Sequence, residues 1–235
     1  MGLPIFYIDS GKSGVGRSLF SLAAVDYLLE CGKKVFLIDA DIHSQDLFFA
    51  FERDRENVNA AIMDLTGPDG WFKLVEVLQK FADRCIVINS GPNIIEGTLK
   101  HGRILLESLP ELKREIFVFW ILSRHRDSLR KFKELMEKFP SLNMYAVRNM
   151  IFGEPQKFSF FNSSEEKKLL EGDGKEKKVF DFPEMADRVA ESISNERLSI
   201  SSGVRNLSLG ERCELKRWRK FCFEVFDGIP GLQHE

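Results

Sequence analysis

The sequence contains no apolar stretch approaching the length needed to cross a membrane. Its opening residues, MGLPIFYIDSGKSGVGRS, hold neither a basic leader nor the apolar run of a secretion signal. Cysteine is sparse: Cys31, Cys85, Cys213 and Cys222 lie far apart and form no close metal-ligand pair. The histidines His43, His101, His125 and His234 show no zinc spacing either. Excess charge of one sign is also lacking. The 34 basic residues against 36 acidic ones leave -2, which gives no global drive toward DNA or an anionic membrane, a local patch aside. With 17 glycines and 8 prolines, neither a fibrous nor a largely disordered chain fits. No internal repeat is visible. These absences predict a reduced, cytoplasmic, soluble protein.

What is present is enough apolar material for one medium domain. The chain has 235 residues, 43% of them apolar, with 21 phenylalanines against three tyrosines and three tryptophans. So much phenylalanine can fill a core and leave some over for a ligand cleft or a partner surface. Five short apolar runs read as buried strands: 3–8, 34–38, a run ending at Asn89, 115–122 and 142–149. Between them, helical spacing is predicted over 17–32, 71–81, 97–109, 128–139, 182–193 and 211–226. Residues 59–65 suit a helix and 66–70 a turn. Residues 42–57, with Phe48, Phe49 and Phe51, suit a short helix or a mobile cover. Residues 165–178 carry five acids and five lysines and read as a surface loop or frayed helix, and 199–210 as a connection. This alternation predicts an α/β, three-layer fold with a mainly parallel central sheet. Residues 1–195 would form the binding domain, and 196–235 a C-terminal connection and amphipathic helix.

The informative stretch is GKSGVGRS, residues 11–18, between the first strand and the first helix. Its spacing is that of a phosphate-binding loop, except that Arg17 stands where a lysine is expected. Gly11, Gly14 and Gly16 let the backbone curl around an anion, and the N–H groups of the new helix point into it. Ser18 would offer its hydroxyl to magnesium. The planar Arg17 head can meet a phosphate as a fork but cannot reproduce an ammonium between two phosphoryl groups. The plainer alternative is a glycine-rich turn with Lys12 and Arg17 solvated.

KSGVGRS resembles the deviant Walker A motif of the ParA/MinD family of P-loop ATPases, KGGxGK[ST]. In size and opening motif the chain looks most like plasmid transfer and maintenance proteins of the TraL, MobD and StbB kind. The resemblance implies a P-loop NTPase-like fold and a nucleotide held by Gly11, Lys12, Ser13, Gly14, Val15, Gly16, Arg17, Ser18 and Leu19. It implies a homodimer with nucleotide at the interface, Lys12 reaching the partner's phosphates. Asp39 and Asp41 match the aspartates after the second strand. Asp39 would organise magnesium, and Asp41, with Lys12 and Arg17, would serve catalysis. Asn89 stands where Walker B has aspartate and, with Ser18 and Asp39, completes the expected metal set. Ser90, Gly91 and Pro92 resemble a switch turn. Asn149 aligns with an adenine-binding asparagine, and Phe152, Phe158, Phe160 and Phe161 either flank the base or pack in the core. The implied cofactors are ATP and Mg2+.

Three departures bear on turnover: Ser13 for glycine, Arg17 for lysine and Asn89 for aspartate. Two of them remove groups that stabilise charge in phosphoryl transfer, so binding is better supported than hydrolysis. The expected function is a nucleotide-dependent dimeric switch in plasmid maintenance or DNA transfer, with weak or impaired ATPase activity. The alternatives are a degenerate scaffold recruiting a partner, and a small-molecule kinase or synthetase, which a deep polar pocket beside Asp41, Asn89 and Arg124 would favour. The last helix, with Leu215, Trp218, Cys222, Val225 and Phe226 on one face, suits packing on the domain, an unidentified protein partner, a membrane surface or nonspecific DNA.

Overall fold

Alternation along the strands divides the chain into two cores. In the computed structural model, which describes residues 2–52, 57–172, 177–229 and 232, strand β1 (Ile5–Asp9) sends Phe6 and Ile8 to one face and Ile5 and Tyr7 to the other. After it come α1 (Arg17–Glu30), β2 (Val35–Asp39), α2 (Asp46–Phe51), β3 (Val58–Ile62) and α3 (Pro68–Lys80). The middle of the chain forms β4 (Cys85–Asn89), α4 (Ile94–His101), α5 (Arg103–Leu112), β5 (Ile116–Leu122), α6 (Arg126–Lys138) and β6 (Asn143–Asn149). Two 3-10 turns then lead to α7 (Ser159–Asn162), α8 (Glu165–Glu171), β7 (Val179–Phe182), α9 (Asp187–Asn195), α10 (Ile200–Asn206) and α11 (Leu209–Asp227).

The sheet order is β3-β2-β4-β1-β5-β6-β7, and every pairing is parallel. Buried side chains of α1, α2, α9, α10 and α11 cover one face, and those of α3 to α8 the other. This is the three-layer α/β architecture expected of a sheet buried on both sides. The phenylalanines go mainly into its core: Phe20 meets Phe119, Phe182 and Phe226 in tilted and edge-on contacts at centroid distances of 5.3, 5.0 and 5.2 Å. Phe158 and Phe161 are buried, Phe152 is partly buried and Phe160 is half-exposed.

The departures from the sequence reading lie mostly at the sheet's edges. Residues 59–65, expected as a helix, supply strand β3, because β2 offers an open edge and Val35 pairs with Val58. The first residue of the helix expected over 182–193, Phe182, instead closes strand β7, aligned along β6 from Ala146↔Val179 to Asn149↔Phe182, and the helix starts only at Asp187. The turn expected at 66–70 is taken into α3, with Pro68 at its start and Gly70 so close to Asp64 that a Cβ would lie 1.8 Å from its carbonyl oxygen. The helix expected over 97–109 is divided at Gly102 into α4 and α5. The connection at 199–210 contains α10, whose first turn is capped by Ser199. Residues 42–57 hold the short helix α2. Of residues 165–178, the first seven form α8, and 173–176 lie outside the described residues.

Helix α11 packs on the domain. Leu215, Trp218, Cys222 and Phe226 are buried, and Trp218 Nε1 donates to the Pro183 carbonyl at 2.9 Å. Arg219 donates to Asp26 at 2.6 Å and to Glu30 at 2.7 Å, both on α1. The apolar stripe that suited a membrane is therefore covered, and Leu209 and Phe221 are the large apolar side chains that α11 leaves exposed among the described residues. Among the described residues no helix is long and apolar enough to cross a membrane.

Candidate nucleotide site

Parallel α/β sheets place ligands at the carboxyl ends of their strands, and here the ends of β1, β2 and β4 are polar. Asp9, Asp39 and Asn89 close those strands and are buried, side by side with strands whose other residues are apolar. The loop from Ser10 to Gly16 follows β1. Gly11, Gly14 and Gly16 have φ of 62, 71 and 95°, the left-handed region that glycine enters without a steric penalty. Gly16 heads α1 with no side-chain cap, so the helix presents its first N–H groups outward.

Three side chains hold this loop from beneath and from the sides. Asp9 Oδ1 accepts from the N–H groups of Ser10 at 2.6 Å and Gly11 at 2.9 Å. Ser128 of α6 donates to the Ser10 carbonyl at 3.2 Å and accepts from Trp120 Nε1. Asn149 Nδ2 donates to the Val15 carbonyl at 2.9 Å, and its Oδ1 accepts from the Ile151 N–H. A Cβ on Gly16 would lie 2.3 Å from Asn149 Nδ2, so this approach requires glycine. Asn149, expected at a purine edge, is thus already bonded through both ends of its amide.

The second cluster joins β2 and β4. Asn89 donates to Asp39 Oδ1 at 3.1 Å and accepts from Ser21 at 3.1 Å, while Asp39 also accepts from the N–H groups of Asp41 and Phe48. Burial pushes the Asp39 carboxyl up, and the hydrogen bond from Asn89 pulls it back in part. Arg17, 6% exposed, reaches Ser90 Oγ at 3.4 Å and lies 3.8 Å from Asp41. The turn bearing Ser90, Gly91 and Pro92 is pressed close: a Cβ on Gly91 would sit 2.9 Å from the Ala40 carbonyl oxygen.

The structure therefore brings Arg17, Asp39, Asp41, Asn89 and Ser90 into one patch beside the loop, with Lys12, Ser13 and Gly14 exposed on its outer side. Val15 is buried. Ser18 and Leu19 lie on the wall of a cavity of about 290 Å3 between α1, α2 and α9, which Gly16, Asp46 and Arg197 also line. Asp41, Asn89 and Arg124, beside which a deep polar pocket would favour a small-molecule kinase or synthetase, do not line that cavity. Sequence reasoning missed Asp9, Ser21 and Ser128. Asp9 could have been suspected as the one charge closing an apolar run, whereas nothing local marked the two serines.

Comparison with known proteins agrees with this geometry. Residues 6–196 match the model of the CobQ/CobB/MinD/ParA nucleotide binding domain. Protein MobD of Acidithiobacillus ferrooxidans is 37% identical over 229 residues, covering 97% of this chain and 99% of that protein. In fold, the chain is similar to a plasmid partition protein of Borrelia burgdorferi bound to AMPPNP (TM-score 0.58, 17% identity, 96% and 98% of the two chains). It is also similar to the MinD cell division protein of Aquifex aeolicus (TM-score 0.55, 15% identity, 94% and 97%).

Proposed function

The chain belongs to the CobQ/CobB/MinD/ParA nucleotide-binding family, and from that we propose that it binds ATP with Mg2+ on the loop from Gly11 to Leu19 and acts as a nucleotide-dependent dimeric switch in plasmid maintenance or DNA transfer, with slow or absent hydrolysis. The observation that carries this reading is the left-handed glycine loop, clamped by Asp9, Ser128 and Asn149 and set against the uncapped start of α1. The match to MobD and the fold shared with a plasmid partition protein support the biological setting.

Lys12 is free on the outer side to meet a phosphate of its own or of a partner's nucleotide. Arg17 would leave Asp41 and Ser90 for the phosphates, so filling the loop would release that turn and Pro92 beside it. The residues fit a magnesium ion that arrives with the nucleotide. Among the described residues no group of three or more His, Cys, Asp or Glu builds a metal cage, and Mg2+ is usually held by one or two carboxylates together with phosphate oxygens. Asp39 would supply the carboxylate, on its own or through water, and Ser18 its hydroxyl. Asn89 would serve by holding Asp39 in place, and it adds no charge to the ion. Magnesium, when bound, would neutralise phosphate charge. Asp41 is the carboxylate available to an attacking water, but it lies against Arg17, which supports slow turnover.

The test is calorimetric titration of ATP and ADP with magnesium into the wild type and a Lys12→Ala, Arg17→Ala variant. Wild-type binding is expected, with affinity about tenfold or more weaker in the variant. No wild-type binding at millimolar nucleotide would overturn the switch and leave the scaffold.

A further inference from the structure

The proposed reading uses Asp9 only as a clamp on the loop and gives no role to its buried charge. The carboxylate is fully buried at the end of β1 and engages both oxygens: Oδ1 takes the N–H groups of Ser10 and Gly11, and Oδ2 accepts from the Tyr7 hydroxyl at 3.1 Å. Tyr7 in turn shares a 2.6 Å hydrogen bond with Thr98 of α4, whose hydroxyl also reaches the Ile94 carbonyl. No ion pair among the described residues involves Asp9. A fixed negative charge thus lies directly behind a loop shaped to receive an anion, and it occupies two N–H groups that begin that loop.

We propose that Asp9 is a positioning and specificity-determining residue of the phosphate site, which holds the loop in its binding shape through its acceptor oxygens while its charge opposes the incoming phosphates. The inference rests on the nucleotide reading and deepens it. The two effects have opposite signs. Acceptance from Ser10 and Gly11 pre-forms the loop and favours every nucleotide alike. The negative charge disfavours ligands in proportion to their own charge, so it lowers the preference for triphosphate over diphosphate. A site that must release its nucleotide to switch gains from such a counterweight.

The network permits a clean separation of the two. In Asp9→Asn the amide oxygen still accepts from Ser10 and Gly11. One amide N–H donates to Tyr7, whose own proton passes to Thr98 and that of Thr98 to Ile94, so Tyr7, Thr98 and the loop N–H groups all keep a partner. In Asp9→Ala the loop N–H groups lose their acceptor. We would titrate AMP, ADP and ATP into wild type and both variants, without magnesium, after checking each by thermal melting. Asp9→Asn is expected to bind ATP about fivefold tighter, ADP less so and AMP unchanged, with the gain fading at high salt. Asp9→Ala, which loses the acceptor and the charge together, is expected to bind AMP about tenfold more weakly, ADP less so and ATP only about twofold more weakly. Asp9→Ser, a shorter neutral acceptor, takes the place of Asp9→Asn if the latter fails to fold. Equal weakening in the neutral-acceptor and alanine variants, or no change in either, overturns the proposal while leaving nucleotide binding intact. Failure of the wild type to bind overturns both.

Discussion

The loop after β1 and the helix α11 come from opposite ends of the sequence and lean on the same helix, α1, yet they use their polar groups in opposite ways. At the loop, buried side chains (Asp9, Ser128, Asn149) hold backbone from below, and Lys12 stands exposed beside the uncapped start of α1. At α11, three of the aromatic and basic residues are used internally: Trp218 on Pro183, Phe226 on Phe20 and Tyr27, and Arg219 on Asp26 and Glu30. Both segments are rich in residues associated with binding, and they differ in how far those residues are turned inward. The difference teaches that availability is a tertiary property, because a guanidinium facing a carboxylate on the next helix has its partner already.

The comparison predicts that damage at α11 acts on stability and damage at the loop acts on binding. The largest effect is expected for Phe226→Ala, which empties a fully buried aromatic site between β1, β5 and α1. It should cost about 3–5 kcal/mol, read as a lower urea midpoint. Nucleotide affinity of the protein that remains folded should be unchanged, and a parallel collapse of affinity would break the division. A smaller effect is expected for Asn149→Ala, which leaves the buried Val15 carbonyl without its donor. Stability should fall by about 1–2 kcal/mol, and nucleotide affinity should fall with it. If affinity holds while the urea midpoint drops, the loop does not need that clamp.

The smallest effect concerns pH at the start of α11. Glu211 is held by hydrogen bonds from Ser208, then from Arg188 and Ser192, and its carboxyl is lowered from about 4.5 to about 2. The folded state therefore favours the ionised form. Its contribution is complete above about 4.5 and is lost as pH falls toward about 2. Glu211→Gln should flatten the stability profile within that window and lower stability slightly near neutrality, where the contribution is complete. An unchanged acid slope would show that the capping box does not contribute it.

The five central strands were legible because each is a run of apolar residues buried on both faces, from Ile5 to Ile8 or Ile116 to Leu122. The two edge strands were not. Asn59, Ala60 and Ala61 in β3 are only partly buried, and Asp181 in β7 is exposed and paired with Arg148 on the neighbouring strand, so neither has the signature of a buried strand. What makes them strands is the unpaired backbone of β2 and β6, which local sequence does not reveal. The same holds at the site. Gly11, Gly14 and Gly16 could be found from their spacing, since a left-handed turn needs glycine wherever it occurs. Asp39 and Asn89 lie 50 positions apart, and their hydrogen bond exists only because β2 and β4 are neighbours in register.

By itself the sequence determined the alternation of strand and helix, the glycine loop at the first crossover and the amphipathic stripe of α11, because each is written in residues near one another along the chain. The tertiary structure decided which polar groups remain unpaired. Asn149 became a clamp, Asn89 a prop for Asp39, Arg219 an internal ion pair and Asp9 a charge behind the loop. The reason is physical: the partner that satisfies or leaves free a buried polar group comes from a distant segment, and only the packed sheet brings that segment within hydrogen-bonding distance.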